Sequence, residues 1–230
     1  MKISVWNLMR PNASTIERNK LFLKTLQDID PDIVVLTETN SVINLGDNYY
    51  SVSTLPLPDV IKDVKFKQGE NRVTIFSKTP FVKNIPTADA YASVCAETLT
   101  ALGPIIIYGT IIGYLGGKKE PFKDDLEKQF LDISSLAKYG NLCFAGDLNV
   151  AFSGSAYPSR LIVNDVSKRF DDLDLKIVTK DCKDSAIHAV ISNLFINRFN
   201  YSKEELFFDK KITDHRLVTI TMTPKDDNLV

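Results

Sequence analysis

Twice in 230 residues the chain runs from an apolar strand through an amphipathic helix to a second apolar strand, and both times it exits on a carboxylate. In the first half, Ile3 to Trp6 reads as a strand ending at Asn7, and Ile33 to Leu36 as a strand ending in Thr37-Glu38-Thr39. In the second, Ile105 to Tyr108 and Leu142 to Ala145 are the strands, and the exit is Gly146-Asp147-Leu148-Asn149. Such short, uniformly apolar runs belong in a sheet interior. Gly146 lets the chain turn sharply where its strand stops. Asp147 and Asn149 sit two apart, so in extended geometry their side chains project to one side. A carboxylate and an amide aimed together suit positioning a water and holding a phosphate oxygen.

The helices between these strands have legible ends. Ser14-Thr15-Ile16-Glu17 has capping-box spacing with Ser14 as N-cap, and Ile16, Phe22, Leu26 and Ile29 form one apolar face that Asp30-Pro31 stops. Pro121 opens the second helix, whose stripe is Phe122, Leu126, Phe130, Ile133 and Ala137, and Gly140 closes it. A third helix carries Ile162, Val166, Phe170 and Leu173. Further strands are expected at 72–76, 93–100, 176–178, 190–196 and 217–222, with Pro56, Pro58 and Pro80 marking loops. Strands and helices interleave without a linker, so one α/β domain over 1–224 with a polar tail at 225–230 is expected.

Composition narrows the chemistry. At 44% hydrophobic the chain can bury one large core, and a net charge of -1 gives no basic footprint for sequence-independent duplex binding. Lys62, Lys65, Lys67, Lys118 and Lys119 read first as a solvated face and second as a phosphate-tracking surface. Cys95, Cys143 and Cys182 share no metal-ligand spacing, and the chain shows neither a secretory leader pattern nor an apolar run long enough to cross a membrane. A reducing, cytoplasmic setting is expected, with no protein partner implied. Five polar positions mark strand ends or the turns beside them: Asn7, Glu38, Asp147 with Asn149, Asn193, and Asp214-His215. Singly, each reads as a turn cap. Together they form a set of oxygen ligands and donors that favours a hard cation such as Mg²⁺ over zinc, since His188 and His215 are the only imidazoles.

Val5-Trp6-Asn7, Pro31 to Thr39, Gly146-Asp147-Leu148-Asn149 and Thr213-Asp214-His215 occur in an order that resembles the endonuclease/exonuclease/phosphatase superfamily of DNase I-like and exonuclease III-like enzymes. The resemblance implies a four-layer α/β sandwich, two central mixed sheets with helices outside. It implies that Glu38 binds Mg²⁺, or Mn²⁺ as a substitute, with Asn7 helping to hold metal and phosphate. Asp147 would deprotonate the attacking water, Asn149 and His215 would donate to phosphate oxygens, and Asp214 would support the metal or the histidine. The family's histidine-orienting aspartate is matched by Asn193, and its Tyr or His after the strand at 105–110 by Ile111, with Tyr114 three residues later as a substitute. The implied activity is Mg²⁺-dependent hydrolysis of a phosphodiester, DNA or RNA included. The alternatives are a phosphatase or phosphodiesterase for a small phosphorylated molecule, or a catalytically weakened relative that binds a phosphorylated ligand.

Overall fold

The computed structural model describes residues 1–61, 64–113 and 120–225. The described strands are β1 (Lys2–Asn7), β2 (Ile33–Asn40), β3 (Tyr50–Ser53), β4 (Val60–Ile61), β5 (Val64–Lys65), β6 (Glu70–Ser77), β7 (Phe81–Ile85), β8 (Ser93–Thr100), β9 (Gly103–Ile111), β10 (Leu142–Asp147), β11 (Leu175–Ile177), β12 (Ile187–Ser192), β13 (Phe199–Leu206) and β14 (Leu217–Pro224). The helices are α1 (Ile16–Ile29), α2 (Glu120–Ala137), α3 (Arg160–Asp172) and the single turn α4 (Asn193–Ile196).

Two six-stranded sheets carry the fold, ordered β13-β14-β1-β2-β6-β3 and β11-β12-β10-β9-β8-β7, with β4 and β5 forming a separate pair. Each sheet holds one parallel pair at its centre, β1 with β2 and β9 with β10, and antiparallel neighbours outside it. Those two parallel pairs are the repeated strand–helix–strand units of the sequence, bridged by α1 and α2.

Alternation along the strands explains the layers. Val5, Val35, Ile75, Ile107, Ala145 and Ala189 pack between the sheets. The other face of the first sheet packs Trp6 and Leu36 on Phe22 and Leu26 of α1. The other face of the second packs Tyr108 and Phe144 on Phe122, Phe130, Val166 and Phe170 of α2 and α3. Burying a side chain of this size contributes on the order of 1.5–3 kcal/mol, so the strands must be apolar on both faces, as their composition requires. The three cysteines are buried and unpaired, and burial pushes Cys95 and Cys143 up to about 12 and Cys182 to about 11, so all three are inert fillers. Among the described residues no helix is long and apolar enough to cross a membrane.

Some local expectations are corrected. The N-cap position of the first helix is Thr15 rather than Ser14, and its side chain makes no capping bond, because Asn12 organises the turn: its Oδ1 accepts from the Ser14 N–H at 2.9 Å, while its own N–H donates to Thr15 Oγ1 at 3.0 Å. With the start moved, Ile16 faces solvent and Asn19 joins Phe22 and Leu26 on the buried face. The strand expected at 190–196 begins instead at Ile187 and ends at Ser192, where α4 starts. Tyr114, Lys62, Lys118, Lys119 and most of the tail expected at 225–230 lie outside the described residues.

Candidate active site

The carboxyl ends of β1, β2 and β10 meet at one end of the sandwich, which is where strand ends in α/β folds gather ligands. Gly146 makes the approach possible. Its φ is 147°, and a Cβ there would stand 1.9 Å from the Thr110 carbonyl oxygen on β9. Nothing but glycine lets β10 deliver its last residue at that spacing.

That residue, Asp147, is 2% exposed. Its Oδ2 accepts from Asn7 Nδ2 at 2.8 Å and its Oδ1 from the Asn149 N–H at 3.0 Å. The register sets Ile111 of β9 on one side and Ile187 of β12 on the other. Burial therefore pushes the Asp147 carboxyl above its ordinary value, while His215, the Asn7 amide and the Asn149 N–H pull it back. His215 Nε2 lies 4.0 Å from Asp147 Oδ2 and 3.2 Å from Asp214 Oδ1. Thr213 places that histidine: its Oγ1 donates to the Asn7 carbonyl at 3.0 Å and accepts from the His215 N–H at 3.1 Å. Asn149 is in left-handed backbone, φ 50°, and its Nδ2 donates to the Ile112 carbonyl at 2.8 Å.

Glu38 completes the cluster from β2, also in left-handed backbone at φ 45°. Burial and then Asp147 push its carboxyl up, and Arg72, His215 and Arg10 pull it down. The register, Thr37 with Val73 and Thr39 with Asn71, puts Arg72 opposite Glu38. Four of the seven described non-glycine residues with positive φ, Met9, Arg10, Glu38 and Asn149, are at or beside this site. At roughly 1–2 kcal/mol each, such strain is concentrated where the chain must aim particular groups.

The donor set suits a hard cation. The Glu38 carboxylate, largely buried, accepts no hydrogen bond among the described residues, and the second buried carboxylate, Asp147, raises its cost of ionising. A divalent ion held by one or two carboxylates, waters and substrate phosphate would relieve both. Among the described residues no group of three or more His, Cys, Asp or Glu side chains stands close enough to hold a metal ion by itself.

The structure thus brings together Asn7, Glu38, Asp147, Asn149, Asp214 and His215. It does not bring Asn193. Cys143 pairs with Ile191 and Asp147 with Ile187, so Asn193 sits past the other end of β12, about 20 Å away at strand rise. There its Nδ2 donates to Asp174 Oδ1 at 2.8 Å and the residue lines an open cleft of about 900 Å³. The residue that does flank Asp147 from β12 is Ile187, and the misplaced strand end hid it. Ile111 is where the sequence put it, buried against Asp147. Arg10 and Arg72 were missed because neither belongs to a motif; the signal available was that Arg72 stands near the start of the strand that pairs with β2.

The architecture is that of the DNase I-like α/β sandwiches, the fold of endonuclease/exonuclease/phosphatase structures. The chain is similar to an endonuclease/exonuclease/phosphatase from Beutenbergia cavernae, with a TM-score of 0.71 and 13% identity over 97% of this chain and 71% of that one. It is similar to an AP endonuclease from Leishmania major, TM-score 0.66 and 12% identity over 97% and 88% of the two chains. It is similar as well to sphingomyelinase C from Streptomyces griseocarneus, TM-score 0.64 and 15% identity over 96% and 98%. No protein-family model matches the sequence, and no curated protein matches it.

Proposed function

We propose that the protein is a Mg²⁺-dependent phosphoester hydrolase acting on a phosphodiester, a nucleic-acid strand included. The observation that carries this reading is Asp147, a buried carboxylate with raised affinity for a proton, set between the Asn7 amide and His215. When bound at Glu38 and Asn7, the cation would neutralise charge developing on the phosphoryl oxygens. Asp147 takes the proton of the attacking water. Asn149 and His215 offer N–H groups to non-bridging oxygens, where preorganised donors act most strongly on the transition state. Ile111 and Ile187 exclude solvent from the flanks of Asp147 and keep it basic. Names of similar structures, an AP endonuclease and a sphingomyelinase, support a phosphodiester and leave its alcohol open.

A second reading, a phosphorylated-ligand binder with weakened turnover, is favoured by one observation: the position beside Asp147 on β12 holds an isoleucine, so no carboxylate from that strand orients His215.

A panel of bis(p-nitrophenyl) phosphate, p-nitrophenyl phosphate and oligonucleotides, assayed in Mg²⁺, Mn²⁺ and EDTA, separates the readings. Turnover is expected with either ion and not in EDTA, and Asp147→Ala or His215→Ala should each lower it about 100-fold or more. Equal rates in EDTA, or full activity in both variants, would remove the hydrolase mechanism. A thermal shift with Mg²⁺ and phosphate but no turnover would establish the binder.

A further inference from the structure

Beside Glu38 lies a cation that this chemistry does not use. Met9 and Arg10 are consecutive left-handed residues, φ 52° and 56°, and they fold the chain back so that the Arg10 N–H donates to the Glu38 carbonyl at 2.9 Å. The guanidinium is then fixed from several directions. Nε and Nη2 donate to the two oxygens of Glu70, at 2.5 and 3.2 Å, and Nη2 also donates to the Lys65 carbonyl. The Phe66 ring centroid is 5.1 Å from Arg10 and 4.9 Å from Arg72, so one buried ring braces both guanidiniums. Glu70 is 1% exposed but the Arg10 side chain is 35% exposed, and Arg10 Nη1 makes no hydrogen bond among the described residues. Two donors therefore remain on a rigid, permanently charged group whose field is felt at the Glu38 carboxyl.

We propose that Arg10 Nη1 is a second anion subsite, taking a phosphate that flanks the scissile one. This rests on the hydrolase reading for the scissile phosphate and adds a requirement on the substrate: it carries two phosphates. A guanidinium needed only to neutralise Glu70 does not require a strained two-residue turn to bring it beside Glu38. The turn is explained when the unspent nitrogen meets a substrate held at the neighbouring ion. The flanking phosphate belongs either to the next linkage of a nucleic-acid strand or to a small bisphosphate.

The test compares a thymidine dinucleotide bearing a 5′-phosphate with the same dinucleotide lacking it. Two variants keep Glu70 from being stranded: Arg10→Lys, which retains the ion pair without the forked second nitrogen, and the neutral double variant R10Q/E70Q. The native protein is expected to prefer the phosphorylated substrate in kcat/KM by about tenfold or more, the effect of one charge-assisted hydrogen bond. Both variants should reduce that ratio to near one. An undiminished ratio in both variants, or no preference in the native protein, overturns the subsite. Binding of inorganic pyrophosphate to the Asp147→Ala protein, measured by calorimetry, separates this outcome from failure of the hydrolase reading. It should weaken about tenfold when Arg10→Lys is added, and unchanged binding overturns the proposal even if no substrate is ever turned over. A larger gain with a tetranucleotide than with a short bisphosphate identifies the strand as the source, and the reverse identifies the small molecule.

Discussion

Asp147 shows how much one residue's neighbours decide. On β10 it has isoleucines on both sides in the sheet, with His215 and the Asn7 amide across the gap, so His215, that amide and one backbone N–H are what offset the cost of its burial. Asn7→Asp should expose that balance. It turns a donor at 2.8 Å into a second buried carboxylate, and the pair can ionise only against mutual repulsion. The expected loss is on the order of 2–4 kcal/mol at pH 8. A carboxyl raised in the folded state stabilises least at high pH, because the folded chain holds the extra proton. The penalty should therefore shrink as pH falls toward 5, and urea denaturation at the two pH values checks it. Asn7→Ala, which only removes a donor, should show a smaller and flatter loss; equal pH dependence in the two variants would refute the account.

At the scale of elements, the sequence was legible where one physical signal acted alone. The strands at β1, β2, β9 and β10 are apolar on both faces, and their period admits no other placement. It was less legible where two signals competed. Residues 190–196 are apolar except at Ser192 and Asn193, and the strand ends at that interruption, where Asn193 turns to Asp174, whose carbonyl takes the Asn193 N–H at 2.9 Å. β13 alternates half-buried and exposed polar residues on a sheet edge, and such a strand has no hydrophobic run to find. The most consequential unread element is the start of β12, where His188 is fully buried. Its Nε2 faces two carbonyls, Val150 at 2.9 Å and Ser185 at 2.8 Å, so it carries the hydrogen, and Nδ1 accepts from Thr179 Oγ1 at 2.9 Å. This ties the turn after Asn149 to the turn before β12. Burial lowers the imidazole from 6.5 to about 4. As pH falls, the unfolded chain takes up this proton first, so the stabilisation is complete above about 6.5 and is lost progressively toward about 4. Between pH 7 and 5 this group alone should remove about 2 kcal/mol of stability. His188→Gln, whose amide can still donate to a carbonyl, should lose less than the native protein by about that amount in paired urea titrations. Parallel slopes would show that His188 is not the titrating group.

The whole molecule is two copies of one plan, and the site depends on how closely they pack. β1-α1-β2 in one sheet answers to β9-α2-β10 in the other, and each supplies polar groups at the same end. The bond from Asn7 to Asp147 therefore crosses the sandwich, joining the first sheet to the second. Its length is governed by the apolar layer between them, and a point of close approach in that layer is Gly109 of β9. A Cβ there would stand 2.8 Å from Val73 Cγ1 and 3.1 Å from Ile75 Cγ1, so the first sheet rests directly on this strand's backbone. Gly109→Ala should force the sheets apart and cost about 1–3 kcal/mol, the usual range for overpacking. Val73→Ala alone should cost a similar amount through the cavity it leaves. Combined, each change fills what the other disturbs, so the double variant should lose at least about 1 kcal/mol less than the sum. Turnover should follow the same pattern, falling in Gly109→Ala because Asn7 and Asp147 separate, and recovering in the double variant. Losses that add within about 0.5 kcal/mol would mean that sheet spacing at Gly109 does not set the geometry of the site.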